Sequence, residues 1–289
     1  MIGYFFAFLT PAFNAAATLF GKKLLNKEHT TTYVASLAFV AFLICIPMFF
    51  FIDYSELNLK FLLILFFNCL MGSLAFILVA SSIRHSQVSL IAPLLVLGPG
   101  ITSLMSLLFL KEVMSIQQCF GIFVLIIGAY ILESNQNDKM FDPLKNMLKS
   151  KYTIYTLIAL LLYSFSSVVD KILVVKQDMS VISYIAFAHL FNAIIFMIYI
   201  NYKFSIKDIL KSVKDDGVFL FLIGFFTVGY RFASIEAIKY FFVGVVSAIK
   251  RVSSLIVVVV GGELFHEDNI LRKTIACLIM VGGVVLLVI

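Results

Sequence analysis

Three cations stand where cations are expensive. Arg231 lies near the middle of an apolar run over residues 218–240, and Lys250 and Arg251 lie near the middle of another over 243–262. In a bilayer-spanning run, a cation at the centre costs about 2.5–3.5 kcal/mol, and three facing lipid would cost on the order of 8–10 kcal/mol. That rivals the whole stability of many folded proteins, so the three must face a polar interior that neutralises them. The same runs offer two carboxylates. Glu236 is three positions before Lys239, a good helical pairing distance, and five after Arg231, a poor one. Glu263 lies near the end of its run. The count leaves a surplus of positive charge, which we read as a contact for an anionic substrate group. The planar fork of an arginine makes two parallel bonds to oxyanion oxygens, and a lysine adds a compact charge. An internal ion-pair network is the competing reading.

Other polar residues inside apolar runs are Asn14, Asn68, Tyr163, Ser164, Ser167, His189 and Asn192. Of these, Asn14, Tyr163 and His189 join the three cations as candidate substrate contacts. Each could equally make an interhelical hydrogen bond, worth about 1 kcal/mol or less. His189 could also couple to protons, because histidine titrates near neutrality. No HExxH, no grouped histidines, no carboxylate-rich loop and no GxxxxGK[ST] occurs. We therefore expect no metal, no cofactor, no catalytic residue and no ATP-driven pump. Cys45, Cys69, Cys119 and Cys277 each fall in an apolar run with no CxxC pair, and are expected to be buried free thiols.

The elements that must position these residues follow from composition. Of the 289 residues 62% are hydrophobic and only 13% charged, and the mean hydropathy is +1.07. A soluble domain normally carries about a quarter charged residues, so this chain must meet lipid. Spans of about 20 apolar residues are predicted near 2–21, 32–52, 60–82, 87–110, 115–132, 153–175, 181–201, 218–240, 243–262 and 271–289. The fold class is all-α and transmembrane. The first span has no basic leader and is expected to be retained. Residues 133–152 form a polar mid-chain linker, and 202–217 could form a short basic interfacial helix. The net charge of +6 sits mostly in connectors, the pattern of membrane topology and not of nucleic-acid binding.

The halves repeat. Leu110-Lys111-Glu112-Val113 aligns with Phe265-His266-Glu267-Asp268, and the same gap-free register places Gly128 on Gly283, Arg84 on Lys239 and Val88 on Val243. In the first and sixth spans Phe20-Gly21-Lys22-Lys23 aligns with Val169-Asp170-Lys171-Ile172. This predicts two five-helix repeats, 1–132 and 153–289. Five is odd, so the second must enter the membrane inverted, as in secondary transporters. Glu112 and Glu267, repeat-equivalent at span ends, are expected to orient a loop or cap a neighbouring helix. Pro93, Gly98, Pro99 and Gly100 should kink the fourth span. Gly121 and Gly128, with Ala276 and Gly283, recur at seven-residue spacing and should let helices approach closely. The run Phe49-Phe50-Phe51 is expected to be lipid-facing bulk.

With Lys22 and Lys171 ending spans one and six, Pro99 thirteen residues before Glu112, and Lys-Glu and His-Glu endings on spans four and nine, the chain resembles the drug/metabolite transporter superfamily in its EamA-type ten-helix form. The resemblance covers nearly the whole chain and implies a central cavity and small-metabolite transport. The Lys250-Arg251 pair also resembles the Lys-Arg pair in span nine of plastid phosphate translocators, where it contacts substrate phosphate. That family uses a further lysine in span four. Here the equivalents of Lys250 and Arg251 are Leu95 and Val96, so a carboxylate or an amino acid stands beside an organic phosphate as the substrate.

The expected function is a secondary transporter working by alternating access on a small anionic or zwitterionic metabolite, embedded in the lipid bilayer of the cell inner membrane. The alternatives are a multidrug or neutral-metabolite exporter of the same fold and, from another class, a membrane enzyme or non-transporting subunit. Lys and Arg crowd the odd-numbered connectors, which by the positive-inside rule puts both termini outside, whereas the resemblance implies termini inside.

Overall fold

The computed structural model describes residues 1–25, 30–85, 94–133, 151–203, 206–253, 256–257 and 270–288, and among these described residues there are ten α-helices. They are α1 (Ile2–Leu25), α2 (Thr30–Cys45), α3 (Leu59–His85), α4 (Gly98–Leu110), α5 (Ile116–Glu133), α6 (Lys151–Lys171), α7 (Val181–Lys203), α8 (Ile206–Ala237), α9 (Val243–Lys250) and α10 (Ile270–Val288). Each predicted span has its helix, and no strand occurs among the described residues. Among the described residues, six stretches are long and apolar enough to cross a membrane: Ile2–Gly21, Thr31–Phe51, Leu59–Ser82, Lys151–Lys176, Val181–Ile200 and Lys207–Ala237. Leu94–Leu110, Ile116–Ile131 and Leu278–Leu287 are shorter apolar helices. The mid-chain linker from 134 to 150, Pro93, Glu263, His266 and Glu267 lie outside the described residues.

Local chemistry sets the helix ends. Pro47 tightens the end of α2 into a 3-10 helix, Ile46–Phe51, on which Phe50 and Phe51 are exposed. Phe49 instead packs edge-on against Phe42 and Phe187, so only part of that run is outward bulk. Asp53 Oδ1 accepts from the hydroxyl and the backbone N–H of Ser55, at 2.7 and 3.0 Å. These bonds hold its carboxyl below the usual range. Beyond Lys171, α6 widens into a π-helical turn over Ile172–Lys176. α8 is two helices joined at Asp216, whose φ of −126° and ψ of 25° break the helical path. The predicted basic segment therefore runs straight into the eighth span.

The described residues fall into two compact units, each drawing on both halves of the chain. The first holds residues 1–73 and 169–240. In it α8 packs against α1, α2 and α7, and α2 against α7. Its centre is Leu24 of α1, Tyr33 and Val40 of α2, and Leu220 and Ile223 of α8. Gly229 allows α8 to meet Phe13 of α1, where a Cβ would lie 2.4 Å from the ring.

The second unit holds residues 74–168 and 241–289. Here α5 packs along α10, and α4 along α9. Gly121 meets Gly283, while Gly128, seven residues later, meets Ala276, seven residues earlier. The repeat-equivalent helices α5 and α10 therefore run antiparallel, as inversion requires, and the seven-residue small-residue pattern is their contact. α4 and α9 also run antiparallel: Gly98 faces Arg251, and Ser103, further along α4, faces Gly244, earlier on α9. Of the cysteines, Cys45 and Cys69 are buried free thiols as expected, but Cys119 is exposed. It follows Ser115 by four residues in the first turn of α5, which its neighbours leave open.

Candidate functional site

Arg231 sits on α8, half-buried, in the first unit. Asp170, Tyr184, Tyr230 and Cys69 lie within its electrostatic reach, as does His189. Asp170 is 6% exposed. Its Oδ1 accepts from Asn68 Nδ2 at 2.6 Å and from the Tyr184 hydroxyl at 2.5 Å. The helical period brings these groups together. Tyr184, Ala188 and Asn192 recur every four residues on α7, and Cys69 and Ser73 do so on α3. The matched spacings give Cys69 Sγ to Ala188 O at 3.7 Å and Ser73 Oγ to Asn192 Oδ1 at 3.2 Å. A polar seam thus runs between α3 and α7, with Asp170 at one end.

Asp170 changes the charge account. The positive surplus rested on the carboxylates of the eighth and ninth spans alone. The structure sets a carboxylate from the end of α6 in the field of Arg231, so that cation is partly offset. Two atoms of the cluster are still unsatisfied. Asn68 Oδ1 and His189 Nε2 are buried with no hydrogen-bond partner, in residues only 3% and 6% exposed. Buried polar atoms in folded proteins are nearly all paired, so such orphans call for a ligand, a water or a proton. The expected pairing of Glu236 with Lys239 is present, at 3.2 Å.

The other two cations belong to the second unit. Lys250 ends α9, and Arg251 follows it in a turn. Arg251 Nη2 donates to the carbonyl oxygen of Leu95 at 2.5 Å. In a regular helix that carbonyl would accept from the N–H four residues on, but that residue is Pro99, which has none. The guanidinium thus caps a carbonyl freed by the predicted helix break. Gly98 makes room for it, since a Cβ there would stand 2.9 Å from Nη2. One donor of Arg251 is therefore committed to its own fold.

Tyr163 is half-buried on α6 and accepts the Ser167 hydroxyl at its backbone oxygen, 3.0 Å away. Its neighbour Ser164 is buried and bonds Thr102 of α4 at 3.0 Å. Asn14 is half-buried in α1, and its backbone oxygen accepts from Thr18. Glu112 is the cap foreseen from symmetry. Lys111, at φ 59°, ends α4 in a left-handed turn, and Glu112 Oε2 accepts the backbone N–H of Val243, the first residue of α9, at 3.0 Å. Asp170, Tyr184 and Asn68 were not picked out as an anion-side cluster in the sequence. The available signal was Asp170 itself, an acid five residues inside a predicted span.

A polar cleft opens in the first unit between Asp53, Leu57 and Asn58, the start of α3, and Gln177, Asp178, Ser180 and Ser183. Ser183 lines it, and the next residue, Tyr184, holds Asp170.

A solved crystal structure, described only as that of a protein, superposes with a TM-score of 0.74 over 99% of this chain and 94% of its own, at 15% identity. That likeness speaks to fold alone. An uncharacterized protein of Methanocaldococcus jannaschii is 39% identical over 51 residues, which is 18% of this chain. The match spans 37% of that relative's length. The model of the EamA-like transporter family matches residues 1–134 and 150–289, on either side of the polar linker. With apolar helices of membrane-spanning length and antiparallel repeat-equivalent pairs, that match places the protein: it is an integral multi-pass membrane protein and belongs to the EamA-like transporter family, within the drug/metabolite transporter superfamily.

Proposed function

We propose that this chain is a secondary transporter, not an enzyme, that carries a small anionic or zwitterionic metabolite across the cell inner membrane by alternating access between two inverted repeats, 1–132 and 153–289. The observation that carries the reading is the Arg231 guanidinium, held half-buried on a membrane-spanning helix beside buried polar atoms that lack partners. Intramembrane charge of this kind marks substrate and ion pathways. Arg231 is the principal anion contact. Lys250 and Arg251 add positive charge, and Asn14, Tyr163 and His189 supply polar contacts. Asp170 beside Arg231 favours a substrate whose charge is small or internally balanced. A multiply charged phosphate would be repelled by that carboxylate.

The test is uptake by proteoliposomes of labelled L-alanine, L-glutamate, succinate and glycerol 3-phosphate, each against the unlabelled compound inside. Exchange of an amino acid or a monovalent anion above that of empty liposomes is expected. Exchange of none of the four would overturn the reading.

A further inference from the structure

We propose that Asp170 is a proton-binding carboxylate, and that its proton and an anion at Arg231 bind cooperatively. The proposal rests on the transport reading above and supplies its driving ion. Asn68 gives its Nδ2–H to Asp170 Oδ1, while its own Oδ1 is buried and unpartnered. An amide beside a carboxylic acid forms two bonds, one in each direction. Here one of the two is made, and an O–H on Asp170 would supply the other. Protonation supplies that donor: an O–H bond forms on the carboxylate and can be given to Asn68 Oδ1, and no other covalent bond changes. The proton comes from water and returns to water when the acid ionises.

The groups around Asp170 are Asn68 and Cys69 of α3, Tyr184 of α7 and Arg231 of α8, with Lys171 its neighbour on α6, while His189 of α7 and Tyr230 of α8 lie around Arg231. Ionised, Asp170 offsets Arg231 and competes with a substrate anion for it. Protonated, it leaves the guanidinium uncompensated in a low-dielectric cluster, and an anion restores neutrality. Each ligand therefore raises the affinity of the other by the same factor, typically about 5–150-fold. The π-helical turn directly after Lys171 fits a working site, since such bulges concentrate at functional positions. A polar cleft lies close in the chain: Ser183 lines it, one residue before Tyr184.

Two measurements on the full-length protein decide it. In lipid films, infrared difference spectra between neutral and acid pH should contain a protonated-carboxyl carbonyl band that is absent from Asp170→Asn and displaced in Asn68→Leu. Spectra unaltered by Asp170→Asn overturn the proposal. In proteoliposomes holding a trapped pH dye, whichever of the four labelled compounds moves should acidify the lumen. Asp170→Asn should then move fewer than about a tenth as many protons per molecule of label, in line with loss of a coupling of that size. An unchanged proton-to-label ratio overturns it as well. If the label moves and the lumen does not acidify, transport stands and proton coupling falls. If no compound moves, the transport reading falls, and the infrared band alone decides whether Asp170 takes the proton.

Discussion

Arg251 and Leu95 stand 156 positions apart in the chain, and the guanidinium of one holds the backbone carbonyl of the other at 2.5 Å. The two lie at nearly equivalent places in the two repeats: Leu95 is the counterpart of Lys250, and Val96 that of Arg251. The first repeat has a proline-broken helix there, and the second supplies the cation that repairs it.

The repair can be measured by a double-mutant cycle. Arg251→Met should cost about 1–3 kcal/mol, the price of a buried unsatisfied carbonyl. Pro99→Ala restores the N–H that Leu95 would accept in a regular helix. In that background Arg251→Met should cost less by at least about 1 kcal/mol, a coupling typical of groups sharing one partner. Thermal unfolding in detergent micelles reads both costs, and equal costs in the two backgrounds would remove the explanation.

Adjacent glycines on α10 should respond in opposite ways. A Cβ on Gly283 would stand 2.8 Å from Leu125 N and 2.9 Å from Gly121 O, both backbone atoms that cannot give way, whereas one on Gly282 meets nothing within 4 Å. Gly283→Ala should therefore lower stability by about 1–3 kcal/mol through overpacking. Gly282→Ala should be neutral or stabilising by up to about 1 kcal/mol, the helix-propensity difference. Melting temperatures of the two variants check this; equal losses would mean that α5 and α10 do not meet at this seam.

Glu112 offers a test of the helix cap. Glu112→Gln keeps an acceptor for Val243 N–H and should cost less than about 1.5 kcal/mol. Glu112→Ala leaves that donor bare at the start of α9 and should cost about 1.5–3 kcal/mol. The comparison of unfolding midpoints is informative in one direction only if Gln lies between wild type and Ala; a Gln variant as damaged as Ala would show that charge, not the acceptor, matters.

Much of this was legible in the sequence because it is short-range or periodic. Hydropathy over about 20 residues marks a span regardless of neighbours, so all ten helices lie where expected. Glu236 and Lys239 pair within one helical turn, and the small residues of α5 and α10 repeat on one face. What the sequence hid is contact between distant segments. Asp170 lies five residues inside a predicted span, but its burial is made by Asn68, 102 positions earlier, and by Tyr184 across the π-helical turn. The acceptor that Arg251 holds is a backbone carbonyl, which no residue type announces. Nor does any residue type announce the division by which Arg231 belongs to one compact unit and Lys250 and Arg251 to the other.

In the proposed function, Arg231 binds the anionic group of the transported compound. Half-saturation for exchange, measured in proteoliposomes with wild type and Arg231→Gln, tests it most directly when the melting temperature is taken from the same preparations. A rise in half-saturation of at least about tenfold, equivalent to about 1.4 kcal/mol, with little change in melting temperature, is expected. Half-saturation equal to wild type, in a protein whose melting temperature has collapsed, would show that Arg231 holds the fold and does not hold the substrate.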